Sequence, residues 1–270
     1  MSGTLEVTIL GCGSSGGVPR ADGDWGVCDP AEPKNRRLRC SLLIRRKAQD
    51  GEGAETTVLV DTSPDFREQA VAARIRRLDG VLFTHDHADQ THGIDDVRAF
   101  FIRQRARIPA WMDTVTRASL TRKFDYIFES HSGYPAILDA RSLPAHGADW
   151  AVDGPSGIIP VNSFDMEHGS IRCTGFRFGG LAYSPDVNGL DNAAFEALRG
   201  VDTWIVDALR YTPHPTHAHL ERTLGWIERV RPRRAILTNM HIDMDFNTLR
   251  RALPPGVEPA YDGLVVDIAV

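Results

Sequence analysis

Apolar residues occur along the chain in short blocks whose spacing alternates between that of strands and that of helices. Blocks with the composition of strands are 5–11, 40–46, 56–62, 80–84, 157–164, 171–178, 180–184, 201–209, 233–239 and 263–270. Blocks with helical spacing are 64–78, 93–105, 114–128, 192–200 and 219–230. A polar hairpin is predicted at 47–55. This mixture predicts an α/β (α+β) architecture of two packed sheets covered by helices, in one domain over residues 1–270.

The first strand leads into a loop of small residues, GCGSSGGVP, at 11–19. Its Gly11, Gly13 and Gly16 match the glycine motif of dinucleotide-binding proteins only formally, because that motif requires a helix to follow. An irregular stretch around Arg20 follows instead. The exposed backbone N–H groups of such a loop can bind anionic oxygens.

The stretch LFTHDHADQTHGIDD, residues 82–96, holds three histidines and four aspartates directly after a predicted strand. His85, His87 and Asp89 occupy alternate positions, so in extended backbone their side chains point the same way. Imidazole and carboxylate are ligands for zinc, manganese or iron. A polar loop with histidines at the start of a helix is the alternative.

Four further predicted strands are followed by a side chain that can bind a metal. These residues are Asp61, His168, Asp186 and His241. Each of them alone is typical of an ordinary turn. Their repetition at the ends of strands predicts a site at one edge of the packed sheets.

Composition narrows the class of protein. With 42% hydrophobic and 25% charged residues, the sequence is typical of a soluble globular protein. A net charge of −5 argues against a nucleic-acid coat protein, although basic clusters at 34–40 and 100–107 could meet phosphate or form solvated faces. No signal peptide or 18-residue apolar run is present, so a cytoplasmic location is expected. The four cysteines lack CxxC spacing, which makes disulfides unexpected.

On Asp61, THDHAD (84–89), His168, Asp186 and His241, the chain resembles the metallo-β-lactamase superfamily of hydrolases over nearly its whole length. The resemblance implies a four-layer αββα sandwich with a metal centre at one sheet edge. Further motifs are similar to those of the phosphonate-operon cyclic phosphodiesterase branch and, more distantly, of the tRNA 3′-processing nuclease. These motifs are GCGSSGGVP, KNRRLRCSLL, SPD and HPTHAHL.

The resemblance also implies a ligand set for two divalent ions, zinc or manganese. His85, His87 and His168 would hold the first ion, and Asp186 would bridge to the second. Asp89 and His241 would complete the second site, and Asp89 would also contribute the negative charge that catalysis needs. Asp61 would accept a hydrogen bond from a ligand histidine and fix its tautomer.

The chain departs from the family pattern in three places. Gln90 and Asn239 stand where the family has histidines, so the second site is expected to be weak; His92 could complete it only through a shift of the loop. The N-terminal loop retains only Cys28 of the branch's structural zinc ligands, and Ile242 stands where their histidine partner is expected. No structural zinc is therefore expected.

The resemblance assigns His217 as general acid, with His219 as the alternative. Ser14, Ser15 and Arg20 are the candidates for substrate phosphate, with Arg37 or Arg39 as further options. The expected function is a phosphodiesterase acting on a small cyclic or nucleotide phosphate ester, through a water that the metal ions activate. A lactone or acyl hydrolase, or an accessory protein like the pyrroloquinoline-quinone biosynthesis relative, are the alternatives. No nucleic-acid arm or membrane partner is expected, and a homodimer is left open.

Overall fold

The computed structural model describes residues 4–47 and 53–270, so part of the predicted hairpin at 47–55 lies outside the described residues. The strands are β1 (Thr4–Gly11), β2 (Ser41–Arg46), β3 (Thr56–Val60), β4 (Gly80–Leu82), β5 (Ile108–Met112), β6 (Leu138–Ser142), β7 (Trp150–Val152), β8 (Ile159–His168), β9 (Ile171–Phe178), β10 (Leu181–Ser184), β11 (Thr203–Asp207), β12 (Arg234–Thr238), β13 (Val257–Pro259) and β14 (Val265–Ala269). The α-helices are α1 (Phe66–Ala72), α2 (Ala88–Thr91), α3 (Arg98–Gln104), α4 (Thr114–Lys123), α5 (Asp125–Phe128), α6 (Asn192–Ala197), α7 (Leu220–Val230) and α8 (Phe246–Ala252). Short 3₁₀ turns cover Pro33–Asn35 and Ile94–Val97.

The strands form two seven-stranded mixed sheets. The first has the order β14-β1-β2-β3-β4-β5-β6, and the second has the order β13-β12-β11-β10-β9-β8-β7. Their inner faces share one hydrophobic core, and helices pack on the outer faces. This is the predicted four-layer αββα sandwich.

The apolar runs of the central strands are continuous because both of their faces are buried. In β2, Leu42 and Ile44 point into the core between the sheets, whereas Leu43 points outward to the layer that contains Phe66 of α1 and Phe100 of α3. A strand that alternates in this way needs apolar residues at every position.

The sheet directions place the chemistry at one edge of the sandwich. Strands β3, β4 and β5 are parallel, and so are β10, β11 and β12. The carboxyl ends of parallel strands meet at the same edge, which is where ligands bind in open α/β sheets. Four side chains with polar chemistry follow or end these strands: Asp61, His85, Asp186 and Asp207.

Several predicted helices are shorter than the sequence pattern indicated. The helix predicted at 64–78 ends at Ala72, where Arg74 turns into the left-handed region with φ of 53°. The helix predicted at 93–105 is a 3₁₀ turn followed by α3, and the one predicted at 114–128 is interrupted at Phe124. Among the described residues, no helix combines the length and the apolar character that crossing a membrane requires.

Candidate metal centre

Four side chains meet at the shared edge of the two sheets. His85 follows β4, His87 precedes the first turn of α2, His168 is the last residue of β8, and Asp186 follows β10. One ligand atom from each lies within 4.8 Å of the others. His85 Nε2 and His168 Nε2 lie 3.6 and 3.8 Å from Asp186 Oδ2. The sequence predicted these residues, and the structure brings them together; we call them the four-residue cluster.

The hydrogen bonding of the cluster fits a metal ion. His85 is buried, yet its Nε2 atom has no hydrogen-bond partner among the described residues. Burial lowers the pKa of His85 well below its usual value, and burial with the neighbouring His217 lowers that of His168 to about 4. Neutral imidazoles offer lone pairs, and with Asp186 they form a donor set for zinc or manganese. An ion with bonds of about 2.0–2.1 Å would draw these atoms closer together.

A hydrogen-bond relay fixes the orientation of His85. Thr84 donates its backbone N–H and its hydroxyl to Asp61, at 2.8 Å each. The Thr84 oxygen lies 3.0 Å from His85 Nδ1. Because the Thr84 proton is used on the carboxylate, His85 must donate its Nδ1–H to Thr84, which leaves the Nε2 lone pair for a metal. The sequence predicted that Asp61 would accept a hydrogen bond directly from a ligand histidine. In the structure Asp61 acts through Thr84 instead.

His217 lies beside the cluster and is held by a carboxylate that the sequence analysis missed. Its ring centroid is 4.6 Å from that of His168, and its Nδ1 atom is 2.9 Å from Asp207 Oδ2. Asp207 is fully buried and also accepts from the backbone N–H of Val187. Burial alone would lower the pKa of His217, but the charge and hydrogen bond of Asp207 raise it to about 9. Asp207 ends an apolar strand just as Asp61 follows one, and this signal could have identified it.

Two residues predicted to bind a second metal, Asp89 and His241, lie outside the four-residue cluster. Asp89 lies in the first turn of α2, outside the four-residue cluster found among the described residues. His241 is also outside it: its Nδ1 atom is 2.7 Å from Asp243 Oδ1, and its Nε2 atom is 2.6 Å from Arg20 Nη2. Gln90 is buried with its Nε2 atom 3.4 Å from Asp186 Oδ1.

The glycine loop contacts the segment that follows β12. Ser14 is buried, and its backbone N–H donates to Met240, while Ser15 is exposed. Arg20 reaches His241 from this loop. The structure thus joins the predicted phosphate-binding segment to the end of β12.

Four other residues considered in the sequence analysis are not part of the four-residue cluster. His92 packs edge-on against Phe124, with ring centroids 5.7 Å apart, and His219 precedes the first turn of α7. Cys28 and Ile242 pack together in a small apolar group.

The chain matches a known protein family and is similar to solved structures. The family model for a beta-lactamase superfamily domain matches residues 56–242. A solved structure described as a new diphosphatase from the PhnP family is 32% identical, with a TM-score of 0.84 over 100% of this chain and 99% of that one. Zn²⁺-bound PqqB from Methylobacterium extorquens shares the fold, with 17% identity and a TM-score of 0.73 over 97% and 100% of the two chains.

A protein named octanoyltransferase from Porphyromonas gingivalis is 29% identical over 268 residues. The match covers 96% of this chain and 51% of that protein, so the chain spans about half the length of this relative.

The matched region, the similarity to the PhnP-family diphosphatase and the four-residue cluster support a metal-dependent hydrolase. The matched family model covers more than half of the chain and includes all four members of the cluster: His85, His87, His168 and Asp186. The chain therefore belongs to the metallo-β-lactamase superfamily, in which it resembles the PhnP family.

Proposed function

We propose that the protein hydrolyses phosphate esters or anhydrides of small molecules such as nucleotides. The observation that carries this proposal is the position of His217, whose ring lies 4.6 Å from that of the cluster residue His168 and whose Nδ1 atom is bound to Asp207. A proton donor beside a metal-type cluster suits a reaction in which a poor leaving group departs. The PhnP-family relative, described as a diphosphatase, agrees with phosphorus as the reacting atom.

Arg20 and the glycine loop favour an anionic substrate. The Arg20 side chain is 42% exposed while it contacts His241 and Asp24. Guanidinium groups bind phosphate oxygens through directed hydrogen bonds. Ser14 and Ser15 lie in the adjoining glycine loop. We propose that Arg20 and this loop bind the phosphoryl oxygens.

A divalent ion held by His85, His87, His168 and Asp186 would polarise a phosphoryl oxygen and ease the deprotonation of a water molecule. The proton that the leaving oxygen needs would come from a residue of the chain. Asp207 holds Nδ1 of His217, so the Nε2–H group is the one free to donate. As the water oxygen bonds to phosphorus and the bond to the leaving oxygen breaks, His217 Nε2 would transfer its proton to that oxygen.

The experiment compares two leaving groups in wild type and in His217→Ala, each loaded with zinc or manganese. A nucleoside ester needs its leaving oxygen protonated, so the variant should lose roughly 10²- to 10⁴-fold in kcat. A p-nitrophenyl ester releases a stable anion and should lose much less. His131→Ala, at a half-exposed histidine paired with Asp125, is the matched control. Equal losses on both substrates, or no phosphoesterase activity in fully metal-loaded wild type, would contradict the proposal.

Acyl hydrolysis at the same centre is the second candidate. The observation that favours it is the relative named octanoyltransferase, which matches this chain along about half of its own length. Octanoyl thioesters and lactones, assayed beside phosphate esters with one metal-loaded preparation, separate the two candidates. Turnover of acyl substrates alone would support this second function and overturn the first.

A further inference from the structure

We propose that the centre binds a single metal ion, because the side chains that would hold a second ion are committed to other partners. The proposal rests on the four-residue cluster of the proposed function, and it concerns Asp186, Gln90, Asn239, His241 and Asp89. A shared site for two ions needs a bridging group with free lone pairs and further donors around the second ion. The positions of these five residues do not meet that requirement.

The first obstacle is the second oxygen of Asp186. Oδ2 faces the cluster, 3.6 Å from His85 Nε2, whereas Oδ1 is 3.4 Å from Gln90 Nε2. A carboxylate only accepts hydrogen bonds, so the amide must present its NH₂ group to Asp186. Gln90 is fully buried in α2, and its side chain therefore occupies Oδ1, so Asp186 cannot span two ions with one oxygen on each.

The second obstacle is Asn239, which follows β12 with φ of 58°. Its Nδ2 atom is 3.3 Å from Asp207 Oδ1 and 3.0 Å from His217 Nδ1. The Asp207 carboxylate thus receives the amide of Asn239 and the imidazole N–H of His217 together. The Asn239 amide contacts Asp207 and His217 beside the cluster, and it offers no imidazole nitrogen to a metal.

The third obstacle is His241, whose two ring nitrogens are both engaged. Its Nδ1 atom faces Asp243, which can only accept, and its Nε2 atom faces Arg20, which can only donate. These partners place a proton on Nδ1 and direct the Nε2 lone pair at Arg20. That lone pair is the one a metal would need, and here it orients the guanidinium.

The remaining donors are too few for a second ion. They are the Asp89 carboxylate and the Gln90 carbonyl oxygen, which is buried without a partner among the described residues. One carboxylate and one neutral amide oxygen fall short of the about three protein ligands that a catalytic zinc ion takes besides its open position. Asp186, by contrast, joins three imidazoles in a complete first site.

Metal stoichiometry tests the proposal. Wild-type protein, loaded with excess zinc and then dialysed, should contain one equivalent by mass spectrometry. Loaded with manganese, it should give the paramagnetic resonance spectrum of isolated ions. The double variant Gln90→His, Asn239→His should gain a second equivalent; position 239 tolerates histidine because histidine, like asparagine, is among the residues enriched at positive φ.

His241→Ala is the matched control, and it should leave one equivalent bound. Two equivalents in wild type, one of them lost in His241→Ala or Asp89→Ala, would overturn the proposal. So would a spin-coupled manganese pair. Protein that retains no zinc would overturn the four-residue cluster as well. One bound equivalent without phosphoesterase activity would leave this inference intact and contradict the proposed function instead.

Discussion

At the scale of single residues, the candidate centre depends on where hydrogen atoms must lie. Thr84 is confined by Asp61, which accepts both of its donors, and this confinement decides the tautomer of His85. A buried imidazole with a fixed tautomer needs no change of tautomer when its Nε2 atom binds an ion. Thr84 is therefore as important to the proposed site as the carboxylate behind it.

Replacing Thr84 with valine tests this relay. Valine keeps the shape but removes the hydroxyl, so His85 loses its acceptor and Asp61 loses a donor. We expect metal affinity to fall by roughly 10- to 100-fold, measured by competition with a chelator, while the circular dichroism spectrum is retained. Thr203→Val, at a buried threonine whose hydroxyl contacts Asp202, is the control and should bind metal as wild type does. Unchanged affinity in Thr84→Val would mean that the relay does not support the site.

At the scale of elements, the sequence pattern was informative where burial dictated it. The apolar blocks at 56–62 and 201–209 contain β3 and β11, and the block at 219–230 contains α7. Strand β5 was missed because Pro109 interrupts an otherwise apolar run, and the seven-residue helix α8 was also missed. Short elements of this kind are fixed by their neighbours, which a local pattern does not contain.

The site shows the same division. His85, His87, His168 and Asp186 were predictable because each follows or ends an apolar strand. The contact of His241 with Arg20 was not predictable, because Arg20 lies 221 residues away in the sequence. Contacts of that range depend on how the two sheets pack.

Helix α8 provides a prediction at this scale. Asp245 caps it by accepting from the backbone N–H of Thr248, and it also accepts from the Asn35 side chain. Burial would raise the pKa of Asp245, but these hydrogen bonds outweigh it and bring the pKa to about 2. The folded pKa lies below the unfolded value of about 3.9, so the stabilisation is present above pH ~4 and is lost as the pH falls towards ~2.

Asp245→Ala should therefore lower the free energy of unfolding by about 1 kcal/mol at pH 7. Urea denaturation at pH 7 and at low pH measures the difference between variant and wild type, which should shrink as the pH approaches about 2. Asp245→Asn retains a capping oxygen and should be destabilised less at pH 7. A difference that stays constant with pH would contradict the assigned hydrogen bonds to the charged carboxylate.

At the scale of the whole molecule, one hydrophobic core draws on the inner faces of both sheets. The segment that carries Arg20 contacts the segment that carries His241, from the opposite end of the chain. Ser14 donates to Met240, and Val27 donates to Ile242. These contacts bring the N-terminal loop beside the residues that follow β12.

Arg37 joins these two segments from inside the protein. Its side chain is 1% exposed, and its Nη2 atom donates to the Met244 carbonyl at 2.6 Å and to Asn35 Oδ1 at 3.3 Å. Its Nη1 atom approaches the carbonyl of His241. The guanidinium thus satisfies carbonyl groups of the loop that carries His241, at the position where the Cys28 and Ile242 side chains pack together.

Replacing Arg37 with methionine keeps the aliphatic length but leaves the Met244 carbonyl without its donor. An unsatisfied buried carbonyl costs about 1–3 kcal/mol, so the free energy of unfolding should fall by that amount. Arg36→Met is the matched control: Arg36 is its exposed neighbour, 3.7 Å from Glu68, and its loss should change stability by less than about 0.5 kcal/mol. Equal stability of the two variants in urea denaturation would show that the buried guanidinium does not stabilise the loop that carries His241. A selective loss in Arg37→Met would establish that the loop carrying His241 is held from within the fold.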